Sequence, residues 1–271
     1  MSRVSKHDAL AATLAYADVF DYSLTRQELA LWFLFYPVAA AGIPKNKRRQ
    51  ENKWKIAERA GRWLSRVPTI QLVGVTGGLA MNNAGKRDDI DLFFIVADGS
   101  LWVSRMLATL LMDSLGLRRH PDDTSVADKV CLNMFMTAGA TSLPQSDRDC
   151  FSAHEVLQMQ PLFTRGDTYK RFLRSNTWVK TYLPNAWEER NHESRIMNHG
   201  TQEQKIMILS LLEPFAKRIQ LWYMRKHRTT EVITDTTLRF HPRDARVWVK
   251  RKLAARLRRS HIPLDKVFYA R

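Results

Sequence analysis

The sequence predicts an α+β protein: a small mixed sheet flanked by helices, with a helical region on either side of it in the chain. Three observations carry this. Between residues 69 and 137, three short apolar runs rich in β-branched and aliphatic residues alternate with helical segments. Before them, Leu10, Leu14, Ala17 and Phe20 recur at helical spacing. Beyond Pro144, helical patterns take over again.

Taken in order, residues 7–22 form the first expected helix. The acidic residues Asp18 and Asp21 break its apolar stretch, so it reads as a folded helix rather than a leader. In "DYSLTRQELALWFLF", Thr25 and Glu28 make a T-x-x-E capping box, which starts a second helix at about Arg26. Helix, short turn and capped helix resemble the first half of a winged-helix unit. The alternative is a small helical region packed on its neighbour, and the mostly apolar second helix favours it. Pro37, Gly42 and Pro44 stop that helix, and a basic amphipathic helix over 45–66 follows, with Trp54, Ala57 and Leu64 on one face. Pro68 ends it.

"TIQLVGV" is the first expected strand, "IDLFFIVA" the second and "KVCLNMFMT" the third. "GLAMNNAG" is a helical turn and loop, and the apolar helix "LWVSRMLATLLMDSLGL" ends at Gly116. Later helices are expected over about 149–160, 166–176, 201–228 and 244–260. The expected divisions are 1–44 (helical, winged-helix-like), 45–143 (the sheet with its leading basic helix) and 144–271 (helical, with a basic tail).

Composition bounds the function. Hydrophobic residues make up 45%, a globular share. No long uncharged apolar run suggests membrane insertion. Two cysteines, with Cys131 in an apolar run, fit a reduced core residue and a cytoplasmic location. The chain carries 43 Lys+Arg against 27 Asp+Glu, a net charge of +16. Ten Lys/Arg against two Asp lie in residues 241–271, so half of that excess sits in the tail. Such a surplus favours polyanions, RNA among them.

The chemistry-bearing stretch is "VTGGLAMNNAGKRDDIDLFFIV", Val75 to Val96. In a strand, Asp89 and Asp91 project to one face and converge on a hard cation, which takes oxygen ligands. Alone they read equally as strand-start acids. Gly77 and Gly78, ending the previous strand 11 residues before Asp89, let the backbone approach a phosphate chain. Arg105, a lone cation on an apolar helix, needs an anionic partner, either a phosphate or a protein carboxylate. Lys86 and Arg87 lie in the loop before the acids. Asn82 and Asn83 read equally as turn residues or ligands. The sequence contains no Walker A, G-x-S-x-G or zinc-type spacing.

Strand, G-G, short helix and strand with D-x-D resembles the signature of the polymerase-β-type nucleotidyltransferase superfamily. "ATLAYADVFDYSLTRQEL", "WVSRMLATLL", "KVCLNMFM" and "FHPRDARVW" also look like segments of bacterial nucleotidyltransferase-domain proteins. The resemblance implies a nucleotidyltransferase-type sheet and two-metal phosphoryl transfer. Asp89 and Asp91 would hold Mg²⁺ or Mn²⁺. Gly77 and Gly78, with Arg105 and Lys86, would meet a nucleoside triphosphate, ATP being the expected one. An NMP group would pass to an acceptor hydroxyl, RNA being one candidate. The sequence departs from the pattern at Gly78, where most members carry serine. It departs again on the third strand, where many carry a third acid. The natural candidate for that third metal position is Asn133, with Asp128 a possible substitute. These departures leave a second reading open: a nucleotide- or nucleic-acid-binding protein with a decayed site.

Overall fold

A computed structural model describes residues 4–38, 50–192, 198–199, 203–225, 232–240 and 245–270. The order is α1 (Lys6–Val19), α2 (Arg26–Leu31), α3 (Glu51–Leu64), β1 (Ile70–Val75), α4 (Gly77–Ala80), β2 (Ile90–Val96), α5 (Leu101–Ser114) and β3 (Val130–Thr137). Then come α6 (Cys150–Gln158), β4 (Gln160–Arg165), α7 (Thr168–Ser175), α8 (Pro184–His192), β5 (Asn198–His199), α9 (Glu203–Ser210) and α10 (Glu213–Met224). The chain closes with β6 (Val232–Ile233), β7 (Thr237–Arg239), α11 (Ala245–Arg259) and α12 (Leu264–Phe268).

The strands form one mixed sheet in the order β5-β4-β1-β2-β3-β7-β6. β2 and β3 are parallel, joined by α5 as parallel strands require, while β1 runs antiparallel to both β2 and β4. Both faces are covered. Val73, Val75, Ile90, Leu92, Phe94 and Phe135 face a core shared with α3, α5 and α10. Leu72, Phe93, Ile95 and Met136 face a second core built with α1, α6, α7, α11 and α12. The α+β class therefore holds, and the alternation of β2 assigns Asp91 to the second face, with Phe93 and Ile95.

Local chemistry explains most element ends. Thr25 accepts a hydrogen bond from Glu28 N, and Glu28 accepts one from Thr25 N, so the expected capping box is formed. α2 stops at Leu31, earlier than its apolar run suggests, and Phe35 takes φ +66° just beyond it. With Leu31 and Leu34 in the core and Leu34 N donating to Thr13 Oγ1, the α1–α2 region packs on its neighbours. α3 buries Trp54, Ala57 and Leu64 as expected, and its first expected residues, 45–49, lie outside the described residues. Gly116, at φ +64°, follows the end of α5.

The region after 143 departs from the helical expectation. It contributes β4, β5, β6 and β7, four of the seven strands among the described residues, so the sheet crosses position 143. The helix expected over 201–228 is two helices. Pro214, in the first turn of α10, has no N–H to continue α9. No described helix is long and apolar enough to cross a membrane.

Candidate functional site

The site grows from the end of β1. Thr76 N donates to Asp91 O, which ties the turn after β1 to β2. Gly77 then takes φ +64°, a conformation that only glycine adopts without strain. A Cβ there would lie 2.7 Å from Asp91 Oδ2, so the backbone and the carboxylate touch. Gly78 is different. Its Cβ would meet Ala84 Cα at 3.4 Å, in ordinary contact. Its carbonyl accepts from Asn83 N, closing the turn around α4. Asn83 is a structural residue, since its side chain donates to Phe20 O at the end of α1.

The loop before the acids is held from below. Lys53, on α3, is almost fully buried, and its Nζ lies 2.8 Å from Asp128 Oδ1 while also donating to Asp88 O. Part of the basic helix is thus an anchor for this loop. Asp128, a possible third acid in sequence, is the counter-ion of Lys53. Lys86 and Arg87 are exposed in the same loop.

Asp89 and Asp91 are brought together as expected. The third group is Cys131, and carboxylate oxygens of both aspartates lie with its Sγ within 4.8 Å of one another. The register decides this. Asp91 pairs with Cys131 across β2–β3, and a bulge between Leu92 and Phe93 leaves Asn133 without a partner position. Asn133, the expected third ligand, therefore lines the cleft next to the pair and Cys131 stands opposite Asp91. Cys131, expected in the core, is free and half-buried and stands beside the two aspartates.

The electrostatics follow from crowding acids in a half-buried place. Burial, and then the charge of Asp89, raise the Asp91 carboxyl to about 7. Burial and both aspartates push the Cys131 thiol up, so it stays protonated. Arg119 supplies compensation, with Nη1 2.7 Å from Asp89 Oδ2. Glu155, on α6, is a third carboxylate whose charge reaches Asp91. Burial raises it to about 7, against the pull of Arg239.

Arg105 is not brought to the acids. It lies on α5, packed on the opposite face of the sheet, donates to Gln220 and stacks 4.3 Å over the Phe240 ring. An amide and an aromatic face are thus among its partners. Arg119 and Glu155 were missed from sequence, because neither belongs to a motif. Only the pairing of Arg119 N with Val130 O and the packing of α6 deliver them.

Chemically, the arrangement is a pair of converging carboxylates beside a backbone turn that a side chain would block. No known family, characterised protein or solved structure matches the chain.

Proposed function

We propose that the protein is a divalent-cation-dependent nucleotidyltransferase, moving an NMP group from an NTP, with ATP the first candidate, to an acceptor hydroxyl. The observation that carries this reading is the contact between Gly77 and Asp91: a glycine-only turn lies against one of two converging carboxylates. Mg²⁺ or Mn²⁺, when bound, supplies charge neutralisation for the phosphates and Lewis acidity for the transfer.

The residues fit such an ion. Asp89 and Asp91 offer hard oxygen donors, and the mutual repulsion that raises Asp91 is what a cation relieves. The Cys131 sulfur suits Mn²⁺ or Zn²⁺ better than Mg²⁺. Asp89 would exchange Arg119 for the ion, which frees a guanidinium beside the phosphates. The turn at Gly77 and Gly78 is where the triphosphate would meet the backbone, and Lys86 stands exposed in the adjoining loop. Glu155 and Asp91 are the carboxylates from which an acceptor hydroxyl draws its orientation.

The test is transfer of label from α-labelled ATP, with Mg²⁺ or Mn²⁺, to cell RNA, protein and small-molecule fractions. Label should move with the native protein and fall at least about a thousandfold in the double variant Asp89→Asn, Asp91→Asn, roughly 4 kcal/mol. A native protein that binds ATP yet transfers no label contradicts the reading.

A second reading has its own observation. Arg251, Lys252, Arg258 and Arg259 are exposed on α11, a face suited to RNA or another polyanion. If the protein is a non-enzymatic binder, its RNA affinity falls steeply with salt and ignores neutralisation of Asp89 and Asp91.

A further inference from the structure

α10 is fixed on the sheet by one side only. Ala216, Gln220 and Met224, four residues apart, are its buried stripe. Glu213 at its start accepts from Trp102 N and Val103 N of α5, and Gln220 Nε2 donates to Trp102 O. The opposite stripe, Phe215, Ile219 and Trp222 at i, i+4 and i+7, is therefore held outward. It is apolar and open, with Phe215 62% and Trp222 69% exposed. α9 and the turn after it add Met207, Ile208 and Leu211, the last 77% exposed.

Single exposed apolar residues need no explanation, but a stretch with six large ones does. The polar groups beside them narrow the occupant. From Gln204 to Arg225 the one acid is Glu213, whose carboxylate is committed to α5. Lys217 pairs with Asp235. Lys205, Arg218 and Arg225 are exposed and have no ion-pair partner among the described residues. Arg218 and Arg225, seven apart, lie along one edge of the α10 stripe. In the sequence, Lys226 and Arg228 follow directly.

This combination discriminates between occupants. Ser210 Oγ is spent on Met207 O, so Arg218 is the one uncommitted polar side chain between Met207 and Trp222. A protein partner would find few groups to fix its register, where interfaces carry about one hydrogen bond per 100–200 Å². A second copy on a symmetry axis would set Arg218 and Arg225 against the same cations. RNA would leave the aliphatic side chains in water. A lipid surface with anionic headgroups matches both parts: apolar side chains enter the acyl boundary, Trp222 sits at headgroup level, and the cations meet phosphates and carboxylates.

We propose that α9 and α10 dock the protein on a membrane surface rich in anionic lipid, with Phe215, Ile219 and Trp222 as the inserted residues and Arg218 and Arg225 at the headgroups. The contact is peripheral, since no described helix is long and apolar enough to cross. It leaves the acids uncovered, because α10 packs on one face of the sheet and Asp91 belongs to the other, with Phe93 and Ile95.

The test is flotation of the full chain with vesicles of phosphatidylcholine alone, or of phosphatidylcholine with an equal part of phosphatidylserine. The protein should bind the mixed vesicles at least about tenfold more tightly than the neutral ones. The basic tail attracts anionic vesicles by charge as well, so the variants decide. Ile219→Ser with Trp222→Ser should lower affinity for the mixed vesicles at least about tenfold. Arg218→Glu with Arg225→Glu should do the same, at least about tenfold. All four side chains are exposed, so urea midpoints should stay near the native value. No binding to the mixed vesicles, equal binding to both kinds, or flotation unchanged by the Ile219 and Trp222 pair overturns the proposal. A native dimer that this pair dissociates assigns the face to a second copy, and RNA binding lost in this pair assigns it to nucleic acid. Either result overturns the lipid assignment.

Discussion

Gly77 stands so close to Asp91 that a Cβ on the glycine would lie 2.7 Å from the carboxylate Oδ2. The glycine is also at φ +64°, so an alanine there meets strain and collision together. Gly77→Ala should cost about 1–2 kcal/mol of stability and push Asp91 away from Asp89. Gly78→Ala, with only a 3.4 Å contact to Ala84, should stay within about 1 kcal/mol of the native protein. Urea unfolding of the two variants checks the contrast, and Mn²⁺ affinity should fall in the first only.

The acids that make the site weaken the metal-free fold. Asp91 is half-buried beside Asp89 and within reach of Glu155, with Arg119 compensating only Asp89 directly. Asp91→Asn removes a like charge while keeping the shape. Without metal, this variant should be more stable than the native protein by about 1 kcal/mol, while divalent cation no longer stabilises it. Thermal unfolding with and without Mn²⁺ reads both effects.

Cys131 occupies the position opposite Asp91. Replacing its sulfur by a carboxylate adds a hard donor. Cys131→Asp should raise Mg²⁺ affinity by about tenfold, roughly 1.4 kcal/mol, and lower metal-free stability through repulsion. Calorimetric titration of Mg²⁺ into both proteins measures the change. An unchanged affinity would mean that this side chain does not face the ion.

His154 carries an acid-sensitive part of the stability. It is buried, stacked on Tyr16 with ring centroids 3.9 Å apart, and its Nδ1 donates to Cys150 O at 2.8 Å. Burial lowers its pKa to about 4, from an ordinary 6.5. The unfolded chain therefore takes up the proton first as pH falls. Stability from the neutral ring is full above about 6.5 and is lost progressively down to about 4. Between pH 7 and pH 5 the His154 contribution should fall by about 2 kcal/mol, opposed by Asp91 and Glu155, whose raised carboxyls take up protons first in the folded protein. Urea unfolding of the native protein and His154→Gln at the two values isolates it: the variant should gain about 2 kcal/mol relative to the native protein on going from pH 7 to pH 5.

Lys53 ties α3 to the loop that delivers Asp89. Lys53→Met keeps the buried stem and deletes the donor, leaving Asp88 O without that hydrogen bond. The expected cost is about 1–2 kcal/mol, with weaker Mn²⁺ binding as the loop loosens. A stability loss with metal affinity intact would limit Lys53 to the fold.

The residues show why some of this was legible in sequence and some was not. β1, the glycine turn, β2, α5 and β3 are announced by apolar runs with sharp punctuation at Pro68, Gly77, Gly99 and Gly116. β4 is not. "QPLFTR" contains Pro161 and follows α6 with a single residue between, so most of it falls in the gap between two expected helices and shows no strand signal until β1 is there to pair with it. The site divides the same way. Asp89, Asp91, Gly77 and Gly78 are close in sequence and their geometry is local. Cys131 and Asn133 compete for one position, and a bulge in the β2–β3 register settles which stands opposite Asp91. No pattern of residue types reports such a bulge. Arg119 and Glu155 come from a loop and a helix whose packing depends on the finished sheet.

The central claim is that Asp89 and Asp91 hold a divalent cation that a triphosphate shares. Its most direct test is Mn²⁺ binding, followed by electron paramagnetic resonance, with and without a non-hydrolysable ATP analogue. The native protein should bind Mn²⁺ at least about tenfold more tightly when the analogue is present, and the double variant Asp89→Asn, Asp91→Asn should show no such gain. Equal Mn²⁺ affinity in the two proteins, with the analogue present, would contradict the account.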